Sequence, residues 1–136
     1  YRGRLIHTNH MPYYFHHGGG LAQFQFALGQ HMDELAHKLD MLDGVANGHP
    51  PLHAGMNDAD WAEVFGRAYA DLGQRVNSGE ETLIDPYGME SPAEFFAVTS
   101  EAFFELPHQL QREYPGVYRQ LRDFYRQDPL SRLTPV

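Results

Sequence analysis

Apolar side chains recur at intervals of three and four residues along most of this chain, and this spacing restricts the fold more than any other feature. In the first such segment they are Leu21, Phe24, Leu28, Met32, Leu35, Leu39 and Leu42. Residues spaced in this way share one face of an α-helix. We therefore predict a mainly α protein of four or five helices, with at most a short strand near Leu5 and Ile6.

Glycine, proline and capping residues predict where the helices begin and end. We expect helices from Leu21 to about Leu42, from Asn57 or Asp58 to about Asn77, from Ser91 to Pro107, and a last one, interrupted at Pro115, that stops before Pro129. Ser91 is a natural N-cap, Pro92 suits a first turn, and Glu94 fits the third position of a capping box. The stretches 44–56 and 80–90 are expected to be loops.

Length and composition indicate one soluble domain covering residues 1–136. The 136 residues are 42% apolar, and no uncharged apolar stretch is long enough to span a membrane. Ten Lys and Arg against eighteen Asp and Glu give a net charge of −8, so we do not expect nucleic acid as a partner. No targeting signal is visible in the sequence and the absence of cysteine is compatible with the cytosol, so we expect a cytoplasmic location.

The lack of cysteine also limits metal chemistry to His, Asp and Glu. The first helix contains Asp33-Glu34-Leu35-Ala36-His37, in which residues 33 and 37 lie one turn apart on the same face. This pattern matches the zinc motif H-E-x-x-H with Asp at the first ligand position. By itself the pattern is more typical of a solvated helix face than of a metal site.

The rest of the chain closely resembles the zinc-dependent peptidase family of Mlc titration factor A. The resemblance covers residues of about 34–130 in unbroken order and leaves residues 1–32 as an unmatched N-terminal segment. The segments that carry it are residues 37–44, Ala46-Asn47-Gly48 with Pro50-Pro51, Trp61, Tyr87-Gly88, residues 91–98, residues 100–104 and residues 124–129.

The resemblance implies a zincin-like (gluzincin) helical domain with one Zn²⁺ site. Carried onto the matching positions, His37 and Glu94 are metal ligands and Glu34 is the general base that activates water. Asp33 stands in the place of the first His and is the remaining candidate ligand. Tyr87 matches a tyrosine that donates a hydrogen bond to the oxyanion of the tetrahedral intermediate.

Asp33 makes this site unlike the intact motif in two respects. Its side chain is shorter than imidazole, and three ligands of the Asp, His and Glu types would cancel the charge of the dication and leave its water less acidic. His31 is rotated by about 240° from His37 on a regular helix, so it would replace Asp33 only through a local distortion. A second alternative is a histidine from outside the helix, the nearest in sequence being His10, His16 and His17.

Several of these residues also have a purely structural interpretation. The carboxylate of Glu94 is what a capping box requires, and Tyr87 is a candidate for loop packing. Asp40 follows His37 by one turn and is expected either to hold its ring by a hydrogen bond or to lie on the helix surface. Four phenylalanines at helical spacing are expected to be core residues, namely Phe95, Phe96, Phe103 and Phe104.

Three hypotheses for function follow. The leading one is a zinc metallopeptidase, aminopeptidase-like as the family is, that hydrolyses peptide substrates. The alternative is a catalytically impaired pseudo-peptidase that acts as a regulatory module, since the resemblance implies binding of the glucose-responsive transcriptional repressor Mlc. In a third, the motifs survive only as packing within a rearranged fragment.

Overall fold

The computed structural model describes residues 32–133, and this part of the chain is helical, without a strand. Its α-helices are α1 (described over residues 32–40), α2 (Asp58–Asn77), α3 (Pro92–Glu105), α4 (Pro107–Glu113), α5 (Pro115–Tyr125) and α6 (Pro129–Leu133). Short 3₁₀-helices, Met41–Asp43 and Pro86–Met89, follow α1 and precede α3. The mainly α prediction is confirmed. The strand expected near Leu5 and Ile6 lies outside the described residues, as does the predicted helix start at Leu21.

The capping residues named from the sequence begin the helices as expected. Asn57 is the N-cap of α2, and its side-chain oxygen accepts a hydrogen bond from the backbone N–H of Asp60 at 2.9 Å. Ser91 is the N-cap of α3, and its Oγ accepts from the backbone N–H of Glu94 at 3.1 Å. Each cap satisfies an N–H group that the first helical turn leaves without a partner.

Proline begins four of these helices, and this explains why the chain is divided more finely than the sequence suggested. Pro92, Pro107, Pro115 and Pro129 are the first residues of α3, α4, α5 and α6. Three of them were expected only to interrupt or stop a helix. A proline that ends one helix also suits the first turn of the next, because its fixed φ is helical and its missing N–H is not needed there.

The core is built around α3, which is buried on almost all sides from Ala93 onward. Its four phenylalanines are all buried, which confirms the prediction for Phe95, Phe96, Phe103 and Phe104. Phe96 contacts Trp61 of α2 and Phe124 of α5, with ring centroids 5.8 and 6.0 Å away. A helix that is buried on nearly every face, as α3 is, must be covered by its neighbours. The first turn of α3 is thereby held in a fixed place relative to α2 and α5.

Removing the hydroxyl of Ser91 is expected to lower the free energy of unfolding by about 1 kcal/mol, the usual cost of losing an N-cap. Urea denaturation of Ser91→Ala tests this, with the midpoint lowered and the slope unchanged. The control is Ser78→Ala, because Ser78 is exposed and its Oγ only donates to a carbonyl at the end of α2. If Ser91→Ala and Ser78→Ala lowered the free energy of unfolding equally, the N-cap would not be the cause of the loss.

Candidate metal centre

The structure brings together two of the residues that the sequence named as ligands. His37 lies on α1 and Glu94 lies in the first turn of α3, and Nε2 of His37 is 3.4 Å from Oε1 of Glu94. The two residues are 57 positions apart in the chain, so only the packing of α1 against the start of α3 makes them neighbours. Their side chains are 35% and 21% exposed, which leaves the pair accessible from solvent.

The side chains of His37 and Glu94 are close enough for an ion pair but do not form a hydrogen bond. Oε1 of Glu94 is buried and has no hydrogen-bond partner in the described part of the chain. A buried carboxylate oxygen without a partner is costly unless a cation satisfies it. Two ligand atoms on one tetrahedral zinc ion, each about 2.0–2.2 Å from it, lie roughly 3.3–3.5 Å apart. The observed spacing and the unsatisfied oxygen therefore fit two ligands of a shared divalent ion.

The capping interpretation of Glu94 accounts for its backbone but not for its carboxylate. The backbone N–H of Glu94 donates to Ser91, as a capped helix requires. Oε1 instead faces His37 across the gap between α1 and α3. The same residue can thus begin a helix with its main chain and supply a ligand with its side chain.

The other residues of the D-E-x-x-H pattern are placed differently. Asp33 is buried, whereas the side chain of Glu34 is exposed. Among residues 32–133, no three side chains of the His, Asp or Glu type converge closely enough to hold one ion. Asp33 is therefore not brought to the same point as His37 and Glu94, and its role as a ligand stays a prediction.

Tyr87 lies in the 3₁₀-helix Pro86–Met89, where the sequence predicted only a loop. Asp85 caps this short helix, its Oδ1 accepting from the backbone N–H of Tyr87 at 2.9 Å. The next residue, Gly88, lies so close to α3 that an added Cβ would be 2.6 Å from Cγ2 of Val98. This packing holds the Tyr87 segment against the ligand-bearing helix, and the oxyanion role of Tyr87 stays a prediction.

Asp40 does neither of the two things expected of it from the sequence. It is fully buried, and its Oδ2 accepts a hydrogen bond of 2.7 Å from the backbone N–H of Gly48. Its burial makes the surface interpretation wrong. Its other carboxylate oxygen, Oδ1, has no hydrogen-bond partner in the described part of the chain, so the expected hydrogen bond to His37 is wrong as well. A carboxylate near the C-terminal end of a helix is disfavoured by the helix dipole, so its presence there was a signal of a specific partner.

Gly48 lies between the two ligand-bearing helices, and no pattern in the sequence marks it as a structural residue. Its backbone has φ +78°, and a Cβ at this position would lie 2.5 Å from the carbonyl oxygen of Pro92. Its own carbonyl accepts a hydrogen bond of 3.1 Å from Nε1 of Trp61. The positive φ and the close approach both require glycine.

Comparison with protein families finds a match over most of the chain. The model of the family described as glucose-regulated metallo-peptidase M90 matches residues 19–126. The chain belongs to this family. The match begins at residue 19 and so includes part of the N-terminal segment, residues 1–32, that the resemblance had left unmatched. Metallopeptidase membership implies a metal cofactor, and His37 and Glu94 both lie within the matched range.

Individual relatives in the M90 family match over most of this chain. An uncharacterised protein of Synechocystis sp. is 41% identical over 97 residues, which are 71% of this chain and 35% of the relative. The Mlc titration factor A of Edwardsiella ictaluri is 41% identical over 103 residues, 74% of this chain and 39% of the relative. That of Yersinia enterocolitica is 42% identical over 104 residues, 74% of this chain and 38% of the relative. The chain thus spans little more than a third of the length of these relatives.

Some sequence-based alternatives lie outside the part of the M90 chain that the structure describes. These are the histidines suggested as substitutes for the first ligand, His10, His16, His17 and His31. Between residues 32 and 133, none of the helices combines the length and the apolar character needed to cross a bilayer.

Proposed function

We propose that the chain carries the metal-binding part of a zinc metallopeptidase that hydrolyses peptide bonds. The observation that supports this most is the pair formed by His37 and Glu94, held 3.4 Å apart with a buried carboxylate oxygen that has no hydrogen bond. Membership of the M90 metallopeptidase family supports the same conclusion independently. Imidazole and carboxylate are the ligands that catalytic zinc uses when cysteine is absent.

In this proposal each residue has a separate task. His37 and Glu94 hold the ion, and Asp33 or a histidine is the third protein ligand. When bound, zinc supplies a Lewis acid that polarises a peptide carbonyl and lowers the pKa of a water molecule. The exposed carboxylate of Glu34, on the same helix as His37, would act as the general base that takes up a proton. The hydroxyl of Tyr87 donates a hydrogen bond to the oxygen on which negative charge develops.

A second function is supported by one specific feature, the Asp at position 33. Three ligands of the Asp, His and Glu types neutralise a dication, whereas two neutral His and one Glu leave one positive charge. Without that charge the acidity of the bound water falls, and hydrolysis slows. Relatives named Mlc titration factor A favour a regulatory protein in this case. The chain would then bind a transcriptional repressor of the Mlc type and cleave peptides poorly or not at all.

Exchanging Asp33 for His distinguishes the two functions. Asp33→His restores the H-E-x-x-H pattern, so we expect zinc affinity to rise about tenfold, at the lower end of the range for a change near a metal. If the chain is an active peptidase, both the parent and the variant cleave an aminoacyl reporter. If it is a regulatory module, only Asp33→His does so. Zinc affinity is measured by competition with a chromogenic chelator, and cleavage by release of the reporter.

The control for this experiment is a second substitution in the same background. Glu34→Gln removes the proposed base and leaves His37 and Glu94 in place, so it should abolish cleavage while zinc affinity stays within about threefold. Cleavage that persists in the Asp33→His, Glu34→Gln double variant would contradict the role assigned to Glu34. The peptide substrate, the repressor partner and a cytoplasmic location all belong to this proposal.

A further inference from the structure

We propose that Asp40 and Gly48 are positioning residues that set the spacing between the two ligands before any metal binds. The inference rests on the proposed metal site and goes beyond it, because neither residue belongs to the ligand set. Together they form a clamp, defined here as the side chain of Asp40 and the backbone of Gly48, between the end of α1 and the start of α3. Along the chain α1 and α3 are not consecutive, because the whole of α2 lies between them.

On the side of α1, the clamp acts on the helix that carries His37. Asp40 follows His37 by three residues, less than one helical turn, so a displacement of Asp40 displaces the imidazole. Asp40 is 0% exposed, and its hydrogen bond to the N–H of Gly48 is only 2.7 Å long. A charge-assisted hydrogen bond of this length in a buried place is strong and directional.

On the side of α3, the clamp acts on the turn that carries Glu94. The Cα of Gly48 approaches the carbonyl of Pro92 so closely that a Cβ would lie 2.5 Å from the oxygen and 2.7 Å from the carbon. Pro92 precedes Glu94 by two residues within the same helical turn. At this point only the backbone of residue 48 separates α1 from α3, and there is no room for a side chain.

A third contact fixes the clamp to the core. Nε1 of Trp61 donates to the carbonyl of Gly48, so both main-chain polar groups of Gly48 are hydrogen-bonded. Trp61 is 1% exposed and stacks on Phe65 with ring centroids 4.3 Å apart. Gly48 is thus hydrogen-bonded to a buried aromatic cluster. We therefore expect the distance between His37 and Glu94 to be set by the protein alone, without a bound metal.

The first test is the zinc affinity of variants at Asp40, measured on protein confirmed as folded by circular dichroism. Asp40→Ala loses the acceptor for Gly48, so we expect about a tenfold weaker zinc affinity, as for other residues that orient ligands. Asp40→Asn keeps an acceptor oxygen and should stay within about threefold of the parent. The matched control is Asp43→Ala, which removes an exposed loop bond of 3.2 Å to the N–H of Val45.

The second test needs no metal and uses the absence of cysteine from the chain. Lys38 and His108 are exposed, the first on α1 and the second on α4 just after α3. Spin labels on Lys38→Cys and His108→Cys report the distance between these helices by electron resonance. Asp40→Ala should broaden the distance distribution, whereas Asp40→Asn and Asp43→Ala should leave it as in the doubly labelled parent.

The two tests fail in different ways. If the parent binds no zinc, the proposed function fails, and the spin-label distances still decide whether the clamp positions the helices. If folded Asp40→Ala retains both the parental zinc affinity and the parental distance distribution, the clamp is overturned, whether or not the chain is a peptidase. A loss of thermal stability alone, with affinity and distances unchanged, overturns it as well.

Discussion

Replacing Glu94 with Gln is expected to weaken zinc binding by a factor of about 100 and to reduce peptide cleavage at least as much. The affinity of zinc for a site of four ligands corresponds to roughly 10–16 kcal/mol, or about 3 kcal/mol for each ligand. About 3 kcal/mol is a little more than a factor of 100 in the dissociation constant. The amide is nearly the same size as the carboxylate, and the backbone of residue 94 still donates to Ser91, so the fold should be kept.

The same loss is expected for His37→Ala, since each variant removes one ligand. Two controls change similar residues away from the site. Glu63→Gln affects an exposed carboxylate that pairs with Arg67 at 3.0 Å, and His108→Ala affects an exposed histidine on α4. Both controls should bind zinc as the parent does. Parental affinity in Glu94→Gln would exclude Glu94 as a ligand.

Replacing Gly48 with Ala is expected to be the most destabilising small substitution in the described part of the chain. The positive φ of Gly48 costs a side chain about 1–3 kcal/mol, and the contact at 2.5 Å with the Pro92 carbonyl adds about 1–3 kcal/mol more. The neighbour is backbone and cannot rotate away. We therefore expect the free energy of unfolding to fall by about 2–6 kcal/mol, which guanidinium denaturation measures.

The control for this prediction separates strain in the backbone from crowding. Gly79 has φ +82°, close to that of Gly48, but a Cβ there would meet nothing within 4 Å. Gly79→Ala should therefore show only the cost of the positive φ, about 1–3 kcal/mol. Equal losses at the two positions would show that the close approach of Gly48 to Pro92 has no energetic importance.

Local signals explain why most of the helices could be predicted from the sequence. Asn57 and Ser91 are strong N-caps, and the spacing of the apolar residues that follow fixes which face of each helix is buried. The periodicity also identified the phenylalanines of α3 as core. The division of the C-terminal segment was missed because Pro107, Pro115 and Pro129 were interpreted only as breaks, although proline is equally favoured at a helix start.

The sequence allowed the residues of the candidate site to be named, but not the contacts that bring them together. His37 and Glu94 could be named because their segments resemble a known family, yet no local rule places residues so distant in the chain beside each other. The clamp depends on the main chain of Gly48, which has no side chain to reveal its role. Asp33 shows the opposite difficulty, since its type and its place on the same helix as His37 were evident, but whether a third ligand reaches the same point depends on how α1 packs against α3.

The most direct test of the account is a crystal of this protein soaked with zinc and measured at the zinc absorption edge. We expect one strong anomalous peak about 2.0–2.2 Å from both Nε2 of His37 and Oε1 of Glu94. A peak elsewhere, or no peak while the two side chains keep their separation of 3.4 Å, would contradict the proposed metal centre.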